Sequence, residues 1–586
     1  MPTASDRQVW DCVDVPTLRA LTARAEASRG TPWPVPLASG YARYFRDGDR
    51  DAYEQVLWAR QERLTRAAVL AAATLDPLWI DETADGVILL CEQSSWCWPA
   101  HDDTFTRHGA VVPTVTDPCV DLGAGDVAAL LAWIDHLLGD QLDEHVPGVR
   151  ARIRHEVDRR VLTPFQQRRD WHWLGLDGPA GNWTAWIHGD ILAAALQLKP
   201  EPELIDLAVA GLRRFAAGLP EDGAIDEGYH YWWNGAGRLL EALELIGEAG
   251  NPQTLAFPHR MQLGGPWHLN LADGPARYPS ERMWADLPWA ALHRLARRAG
   301  DTEVQAYAAA HRRPDEGVAD ESGGVGRLVR ALTDPEWAAA RPGPEPLPRD
   351  VWLPSIQVRI ARTRDGSAAG LTVAIKGGHN DEHHNHNDVG SVVIALNGVP
   401  VVVDAGRPTY TAQTFGPDRY RIWTMQSTWH NVPTIRGTAQ GHGREYAARS
   451  VTVDEEGFAI EMADAYLRTD VVSWRRTARL DRTAGRVIVG DAWQLTPADD
   501  PEPTVLHLLL AGEVTAGPGR AEVIALDGAG VLILTWDPAL PCDTVVRDLD
   551  DPMLTSVWGD RLTRLDIDVT TIGPVGNLDL TCEEQR

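Results

Sequence analysis

The order of hydrophobic and polar positions divides the chain into a helical first part and a strand-rich second part. Residues 126–140 carry apolar side chains at helical spacing, all on one face. These side chains are Leu130, Trp133, Ile134, Leu137 and Leu138. Similar patterns predict helices near 149–157, 183–198, 203–217, 233–249, 286–299, 303–311 and 324–340. A long series of such helices favours an α/α arrangement, that is, a bundle, a solenoid or a toroid.

After a proline-rich linker at 341–354, the period of the pattern changes to two. The runs SVVIAL (391–396) and VPVVVD (399–404) flank Asn397-Gly398, which is typical of a two-residue hairpin turn. Further strands are predicted near 451–454, 472–480, 486–493, 504–510 and 531–536. Many strands joined by short turns predict an antiparallel β-sandwich.

These patterns predict an α+β protein with three regions. We expect a helical domain at 1–345, a β-sandwich at 350–545, and a small C-terminal β layer at 546–586. A chain of 586 residues is longer than one hydrophobic core usually serves, which agrees with several domains.

Charge and composition exclude several classes of partner. The chain has 55 Lys and Arg against 83 Asp and Glu, a net charge of −28, which argues against nucleic-acid binding and against adhesion to an anionic membrane. A local basic cleft still permits an acidic sugar as substrate. No membrane-spanning segment, secretory signal or Cys-x-x-Cys pair is visible, so we expect a cytoplasmic protein with reduced thiols. The sequence also permits a homodimer.

The densest polar cluster is GGHNDEHHNHNDVG (377–390). His384 and His386 are two residues apart before a strand, so in an extended chain they face the same side. His386, Asp404 and His430 together would make a set of two histidines and one carboxylate. Such a set suits zinc with a fourth position open, and His384 is then free to face a substrate. The alternative interpretation is a solvated loop that is rich in histidine.

Two further clusters lie in the helical part. The segment DGAIDEGYHYWWNGAGR (222–238) contains Tyr231, which could transfer a proton in a sugar-binding cleft; a loop held by packed aromatic side chains is the alternative. In WHWLGLDGPAGNWTAWIHGD (171–190), Asn182 lies among four tryptophans. An isolated asparagine is usually a cap or turn residue, but these aromatic surroundings make contact with a ligand an equal alternative.

At these clusters the sequence resembles the heparinase II/III-like family of polysaccharide lyases. The resemblance is carried mainly by the segment from HNHNDVG to STWHN (384–431), and by DEGYHYW, GNWTAW and WCWPAHD (96–102). It spans roughly residues 30 to 450 and implies an incomplete (α/α) toroid followed by an antiparallel β-sandwich.

The resemblance also implies roles for individual residues. Tyr231 would be the proton donor and the base, and Asn182 and His384 would contact the uronate carboxylate or assist proton transfer. His386, Asp404 and His430 would bind one zinc ion. Several relatives have a histidine directly after the asparagine, where this chain has Trp183, so His188 and His230 are alternative candidates for the base. The residues predicted to bind the substrate are Trp183, His188, Glu227, His230, Trp232 and Tyr420.

The function predicted from these observations is cleavage of uronic-acid poly- or oligosaccharides by β-elimination. A lyase removes the proton at C5, which is α to a carboxylate, and therefore needs a positioned base, an acid and hydrogen-bond donors. A glycoside hydrolase on a helical toroid, using Asp226 and Glu227 or a distant pair of carboxylates, is one alternative. Asp226 and Glu227 are adjacent and would diverge in an extended loop, which counts against that pair. A carbohydrate-binding protein without catalysis is the other alternative.

Overall fold

The computed structural model describes the whole chain except residues 279–286, 314–316, 455–456 and 586. The described residues divide into two compact units. Unit 1 comprises Met1–Leu219, Trp233–Leu255 and Asp286–Gly343, and unit 2 comprises Pro220–Trp232, Ala256–Ala285 and Pro344–Arg586.

The helices lie mainly in the first part of the chain, as predicted. They are α1 (Arg7–Trp10), α2 (Val15–Ser28), α3 (Ala38–Tyr41), α4 (Arg43–Asp47), α5 (Asp51–Thr74), α6 (Pro77–Glu92), α7 (Thr104–His108), α8 (Leu122–His145), α9 (Val149–Val157), α10 (Thr163–Gln167), α11 (Asn182–Leu198), α12 (Pro202–Gly218), α13 (Gly228–Trp232), α14 (Ala236–Leu245), α15 (Pro252–Leu255), α16 (Phe257–Met261), α17 (Trp289–Ala299), α18 (Thr302–Ala310), α19 (Gly324–Leu332), α20 (Pro335–Ala339) and α21 (Pro552–Trp558). Residue 286, where we predicted the helix 286–299 to begin, is outside the described residues.

Local sequence explains where several of these helices begin. Asp76 precedes Pro77, and its carboxylate accepts a hydrogen bond from the Leu78 amide at 2.9 Å. Asp334 caps α20 in the same way, again with proline at the first helical position. An acidic N-cap satisfies an otherwise unpaired amide, and proline there loses no helical hydrogen bond.

Unit 1 is a set of helices around one hydrophobic core. The helix α8 packs against α11, α11 packs against α12, and α5 packs against α6. By length and composition α8 could cross a membrane, but 83% of its apolar window is buried inside the molecule. This burial is typical of a helix in a hydrophobic core. The toroidal order of the helices stays a prediction.

The strands lie mainly in the second part of the chain. They are β1 (Gln262–Gly264), β2 (Trp267–His268), β3 (Asp350–Leu353), β4 (Val358–Arg364), β5 (Ser367–Lys376), β6 (His379–Asn380), β7 (Val392–Leu396), β8 (Val399–Val402), β9 (Pro433–Thr434), β10 (Gly443–Ala447), β11 (Arg449–Val453), β12 (Gly457–Glu461), β13 (Val471–Asp481), β14 (Arg486–Leu495), β15 (Val505–Leu510), β16 (Glu513–Gly517), β17 (Arg520–Ile524), β18 (Val531–Thr535), β19 (Cys542–Asp548), β20 (Arg561–Asp568) and β21 (Val575–Glu584).

Two large antiparallel sheets build unit 2 within the described residues. The first has the order β19-β20-β15-β8-β7-β5-β4-β3, with β9 also paired to β15, and the second has the order β11-β12-β13-β14-β21-β18-β17-β16. Both sheets contribute side chains to one hydrophobic core, for example Ile394 from β7 and Trp474 from β13. Buried and exposed positions alternate along β13, as they do in a strand with one face on a core. The predicted helical part followed by an antiparallel sheet domain is confirmed.

The predicted hairpin at 391–404 is confirmed as β7 and β8. Asn397 and Gly398 both have positive φ, at 51° and 86°, which is what a type I′ turn requires. The hairpin is central in its sheet and leads at its end to Asp404.

The division into units differs from the predicted domains in two ways. Residues 220–232 and 256–278 belong to unit 2, and among them Asp226 and Asp273 bond to the histidine-rich segment. The last residues do not form a separate layer: β20 pairs with β15 and β19, and β21 pairs with β14 and β18. β20 is therefore an interior strand of the first sheet, and β21 is an interior strand of the second.

Candidate active site and metal centre

A buried lysine anchors the histidine-rich segment to the sheet. Lys376, at the end of β5, places its Nζ 2.6 Å from a carboxylate oxygen of Glu382 and 2.6 Å from one of Asp388. All three side chains are almost fully buried. The segment that contains His384 and His386 is thus held from both sides.

Replacing Lys376 with Met should destabilise unit 2. Two carboxylates would remain buried without their cation, and breaking such a buried set typically costs about 3–5 kcal/mol. Urea denaturation of the Lys376→Met variant should show this loss. Arg520→Met, which breaks an exposed pair with Glu522 in the same unit, is the control and should cost less than about 1 kcal/mol. Equal effects of the two variants would contradict the anchoring role.

The three predicted metal ligands converge in unit 2. His386 Nδ1 lies 3.3 Å from His430 Nε2. His430 Nε2 in turn lies 3.3 Å from Asp404 Oδ2. The three side chains are buried, and their ligand atoms lie within 4.8 Å of one another. Zinc bonds of 2.0–2.1 Å in a tetrahedron put neighbouring ligand atoms roughly 3.3 Å apart, so the spacing fits zinc.

The remaining polar atom of each ligand has a partner that orients it. His430 Nδ1 donates to the Gln426 carbonyl at 3.0 Å, and Asp404 Oδ1 accepts from the Gly406 amide at 2.8 Å. His386 Nε2 donates to Asp273 Oδ1 at 3.0 Å. Partners of this kind fix the tautomer and orientation of metal-binding residues. Both the ligand set and its supports therefore suit a zinc ion.

His384 lies next to this cluster and contacts Tyr231. Their rings stack with centroids 4.1 Å apart and planes 14° apart. His384 Nδ1 donates to Asp273 Oδ2 at 3.0 Å, and Nε2 lies 3.6 Å from a carboxylate oxygen of Glu227. His384 also has a φ of 58°, a left-handed conformation that is costly for a residue with a side chain. Such strain is often retained at functional sites.

The hydroxyl group of Tyr231 is hydrogen-bonded to that of Tyr410. The Tyr410 hydroxyl also donates to Asp273 Oδ2 at 3.0 Å, and the Arg407 guanidinium lies 3.7 Å from the centre of the Tyr410 ring. Burial raises the pKa of Tyr231, and the nearby positive charge of Arg407 only partly opposes this. Tyr231 therefore keeps its proton at neutral pH, as a proton donor must.

Asp273 is the common partner of these groups, and no sequence pattern predicts its role. Its carboxylate is fully buried and accepts hydrogen bonds from His384, His386, Tyr410 and Arg419. Burial by itself raises the pKa of Asp273, but the bonds from the two histidines and the charge of Arg419 bring the pKa well below its ordinary value. Asp273 is therefore ionised. Its segment, NLADGPARY (270–278), has no recognisable motif that could have indicated it.

Comparison with known proteins identifies the β-rich part. Residues 346–551 match the family model described as heparinase II/III-like, C-terminal. Over these residues the chain is similar to the heparinase II/III-like C-terminal domain. This domain holds His384 and the three candidate metal ligands, whereas Tyr231 and Asp273 precede it in sequence but belong to the same compact unit.

Solved structures of similar fold cover nearly the whole chain. A heparinase III with methylated lysines matches with a TM-score of 0.58 and 12% identity, covering 97% of this chain and 84% of that one. The heparan sulfate lyase HepC from Pedobacter heparinus matches with a TM-score of 0.58 and 11% identity, covering 96% and 87%. No curated protein sequence matches this chain. At these identities the likeness establishes the fold.

The other predicted substrate-binding residues of unit 2 differ in exposure. Glu227 is buried, and burial raises its pKa to about 7. The Tyr420 hydroxyl accepts from the Asn385 amide at 3.2 Å. His230 and Trp232 are each only 1% exposed. Their burial argues against the predicted contact with a sugar, and it argues against His230 as the base.

Three predicted residues belong to unit 1. Asn182 is buried at the first turn of α11, and Trp183 is partly exposed, with its ring 4.3 Å from that of His101 and 5.0 Å from that of His172. Their contact with a substrate stays a prediction. His188 is 1% exposed, and its Nδ1 donates to the Thr184 carbonyl at 2.7 Å. This packing argues against His188 as a substrate-binding residue or a base.

Proposed function

We propose that this protein is a lyase that cleaves uronic-acid-containing poly- or oligosaccharides by β-elimination. The observation that carries the proposal is the cluster of Tyr231, His384 and Tyr410 on the buried carboxylate of Asp273, next to a candidate zinc site. These residues belong to the unit that includes the heparinase II/III-like domain. The similar solved structures include a heparinase III and a heparan sulfate lyase, which supports the same reaction class.

In this proposal His384 is the base. Asp273 is an ionised acceptor, so His384 carries its proton on Nδ1 and has a lone pair on Nε2. That lone pair takes the C5 proton of the uronate. The electron pair of the C5–H bond forms the C4–C5 double bond, and the bond from C4 to the leaving oxygen breaks.

Tyr231 is the acid in this proposal. Its raised pKa keeps the hydroxyl protonated until the leaving oxygen develops negative charge. The oxygen then takes the Tyr231 proton, and both residues return to their starting states by proton exchange with water. The hydrogen bond with Tyr410 orients the Tyr231 hydroxyl, and the positive charge of Arg407 stabilises its anion.

The uronate carboxylate needs hydrogen-bond donors, because the developing enolate adds a second negative charge. We propose Asn182 for this role from the family resemblance. Zinc on His386, Asp404 and His430 would supply positive charge and would hold three segments of the heparinase II/III-like domain in place. The metal would thus fix the position of His384, two residues from His386.

One contact disfavours Asp226 and Glu227 as the catalytic pair of a hydrolase. The Asp226 carboxylate accepts hydrogen bonds from the amide and the Nδ1 of His383, at 3.1 and 2.9 Å. The Asp226 carboxylate is therefore bonded to His383 and does not form the catalytic pair with Glu227 that a hydrolase would need.

A panel of uronides tests the proposal. The purified protein is incubated with heparan-type polysaccharide, alginate and glucuronan, as polymers and as short oligomers. The ultraviolet absorbance of the C4–C5 unsaturated uronate is then followed. We expect this absorbance to rise with at least one uronide, and more readily with oligomers because the chain is acidic. Release of only saturated products would contradict a lyase.

A further inference from the structure

One buried carboxylate joins the candidate metal centre to the proton-transfer residues. Asp273 is 0% exposed, and its two oxygens have different partners. Oδ1 accepts from His386 Nε2 at 3.0 Å and from Arg419 at 2.8 Å. Oδ2 accepts from His384 Nδ1 at 3.0 Å and from the Tyr410 hydroxyl at 3.0 Å. Oδ1 is therefore bonded to the candidate metal ligand His386, and Oδ2 is bonded to the proton-transfer cluster of His384 and Tyr410.

The Asp273 carboxylate lies 2.8 Å from the Arg419 guanidinium and 3.0 Å from the donating Tyr410 hydroxyl, so its two oxygens act as acceptors and each histidine must donate to it. His386 then carries its proton on Nε2, which leaves Nδ1 free toward His430 and Asp404. His384 carries its proton on Nδ1, which leaves Nε2 free as an acceptor. These are opposite tautomers, and each is the one that the proposed role of its histidine needs.

We propose that Asp273 is a positioning residue that sets the tautomers of both His386 and His384, and so couples metal binding to proton transfer. The part that concerns His384 rests on the proposed lyase function. The charge of Asp273 is already balanced by Arg419, which lies 2.8 Å from Oδ1. The hydrogen bonds from the two histidines are therefore not needed to neutralise the carboxylate. Their consequence is that they orient the two imidazole rings. Loss of the metal should disturb His384 through the shared carboxylate, and not only through the chain between the two histidines.

The substitution Asp273→Asn tests this coupling. An amide nitrogen cannot accept a hydrogen bond from a histidine. At least one of the two histidines therefore loses the hydrogen bond that fixes its tautomer. We expect zinc affinity, measured by chelator competition, to fall about 10- to 100-fold, as for other lost partners of metal ligands. With the uronide that the wild type cleaves, kcat should fall about 100-fold while KM changes less than about 3-fold. Asp381→Asn, an exposed residue of the same loop, should change neither quantity.

A measurement on the wild-type protein does not depend on whether the variant folds. Nuclear magnetic resonance with ¹⁵N-labelled histidine, assigned with His384→Gln and His386→Gln, reports which ring nitrogen carries the proton. We expect Nδ1–H in His384, and in the zinc-loaded protein Nε2–H in His386. The opposite tautomer in either residue would overturn the inference. So would an Asp273→Asn variant that folds and keeps both its zinc affinity and its kcat.

The two proposals fail in different ways. If no uronide is cleaved, the lyase function fails, while zinc affinity and the two tautomers still decide the role of Asp273. If uronides are cleaved but the tautomers are reversed, the positioning role fails and the lyase function stands.

Discussion

Replacing Tyr231 with Phe should lower turnover by about 100-fold or more, as expected for the loss of a general acid. The substitution removes only the hydroxyl group that is hydrogen-bonded to Tyr410. The aromatic ring remains and still stacks on His384, so the fold and substrate binding should be nearly unchanged. The effect should therefore appear in kcat and not in KM.

Steady-state kinetics on the uronide that the wild type cleaves measures this effect. Tyr229→Phe is the matched control, because Tyr229 is a buried tyrosine two residues away whose ring stacks on His268 instead. Its variant should keep kcat within a few-fold. A Tyr231→Phe enzyme with normal kcat and raised KM would mean that Tyr231 only contacts the sugar.

His386→Ala should abolish stoichiometric zinc binding and lower the melting temperature by several degrees. The wild type is expected to bind one zinc per chain on His386, Asp404 and His430, whose ligand atoms already converge. A ligand that binds only the folded state, at about 1,000 times its dissociation constant, adds about 4 kcal/mol of stability. Removing one of the three protein ligands should lose most of this added stability.

Metal analysis of purified protein and thermal unfolding with and without a chelator check this prediction. His442→Ala is the control, since His442 is an exposed histidine of the same unit that stacks on Tyr420. It should retain zinc and its melting temperature. Substoichiometric zinc in the wild type, unchanged in His386→Ala, would contradict a metal centre here.

The features of this molecule that depend on neighbouring residues can be predicted from its sequence. The β7–β8 hairpin follows from Asn397-Gly398, because few residues tolerate the positive φ that the turn requires. The convergence of His386, Asp404 and His430 was predicted from residue types and from the two strands that the hairpin places side by side. The roles of Tyr231 and Asn182 came from family resemblance, because no spacing rule relates them to His384.

Other features depend on contacts between distant segments. Asp273 bonds to His384, which is 111 residues away in sequence, and nothing in its own segment indicates this. Tyr410 lies in a loop after β8, and only the folded chain brings its hydroxyl to Tyr231. The placement of β20 and β21 within the two sheets depends on pairing with strands that precede them by many residues. Local periodicity carries no information about such pairings.

Mass spectrometry of the products formed in ¹⁸O-labelled water tests the lyase function most directly. β-Elimination consumes no water, so the new non-reducing end should be an unsaturated uronate, and cleavage should place no label in either product. A hydrolase adds water across the broken bond and yields two saturated ends, one of which carries ¹⁸O from the cleavage. Exchange at reducing ends is corrected with a sample of product added to labelled water. Unsaturated, unlabelled products are the result we predict; label introduced by cleavage would contradict the lyase function, even if Tyr231 and His384 proved essential.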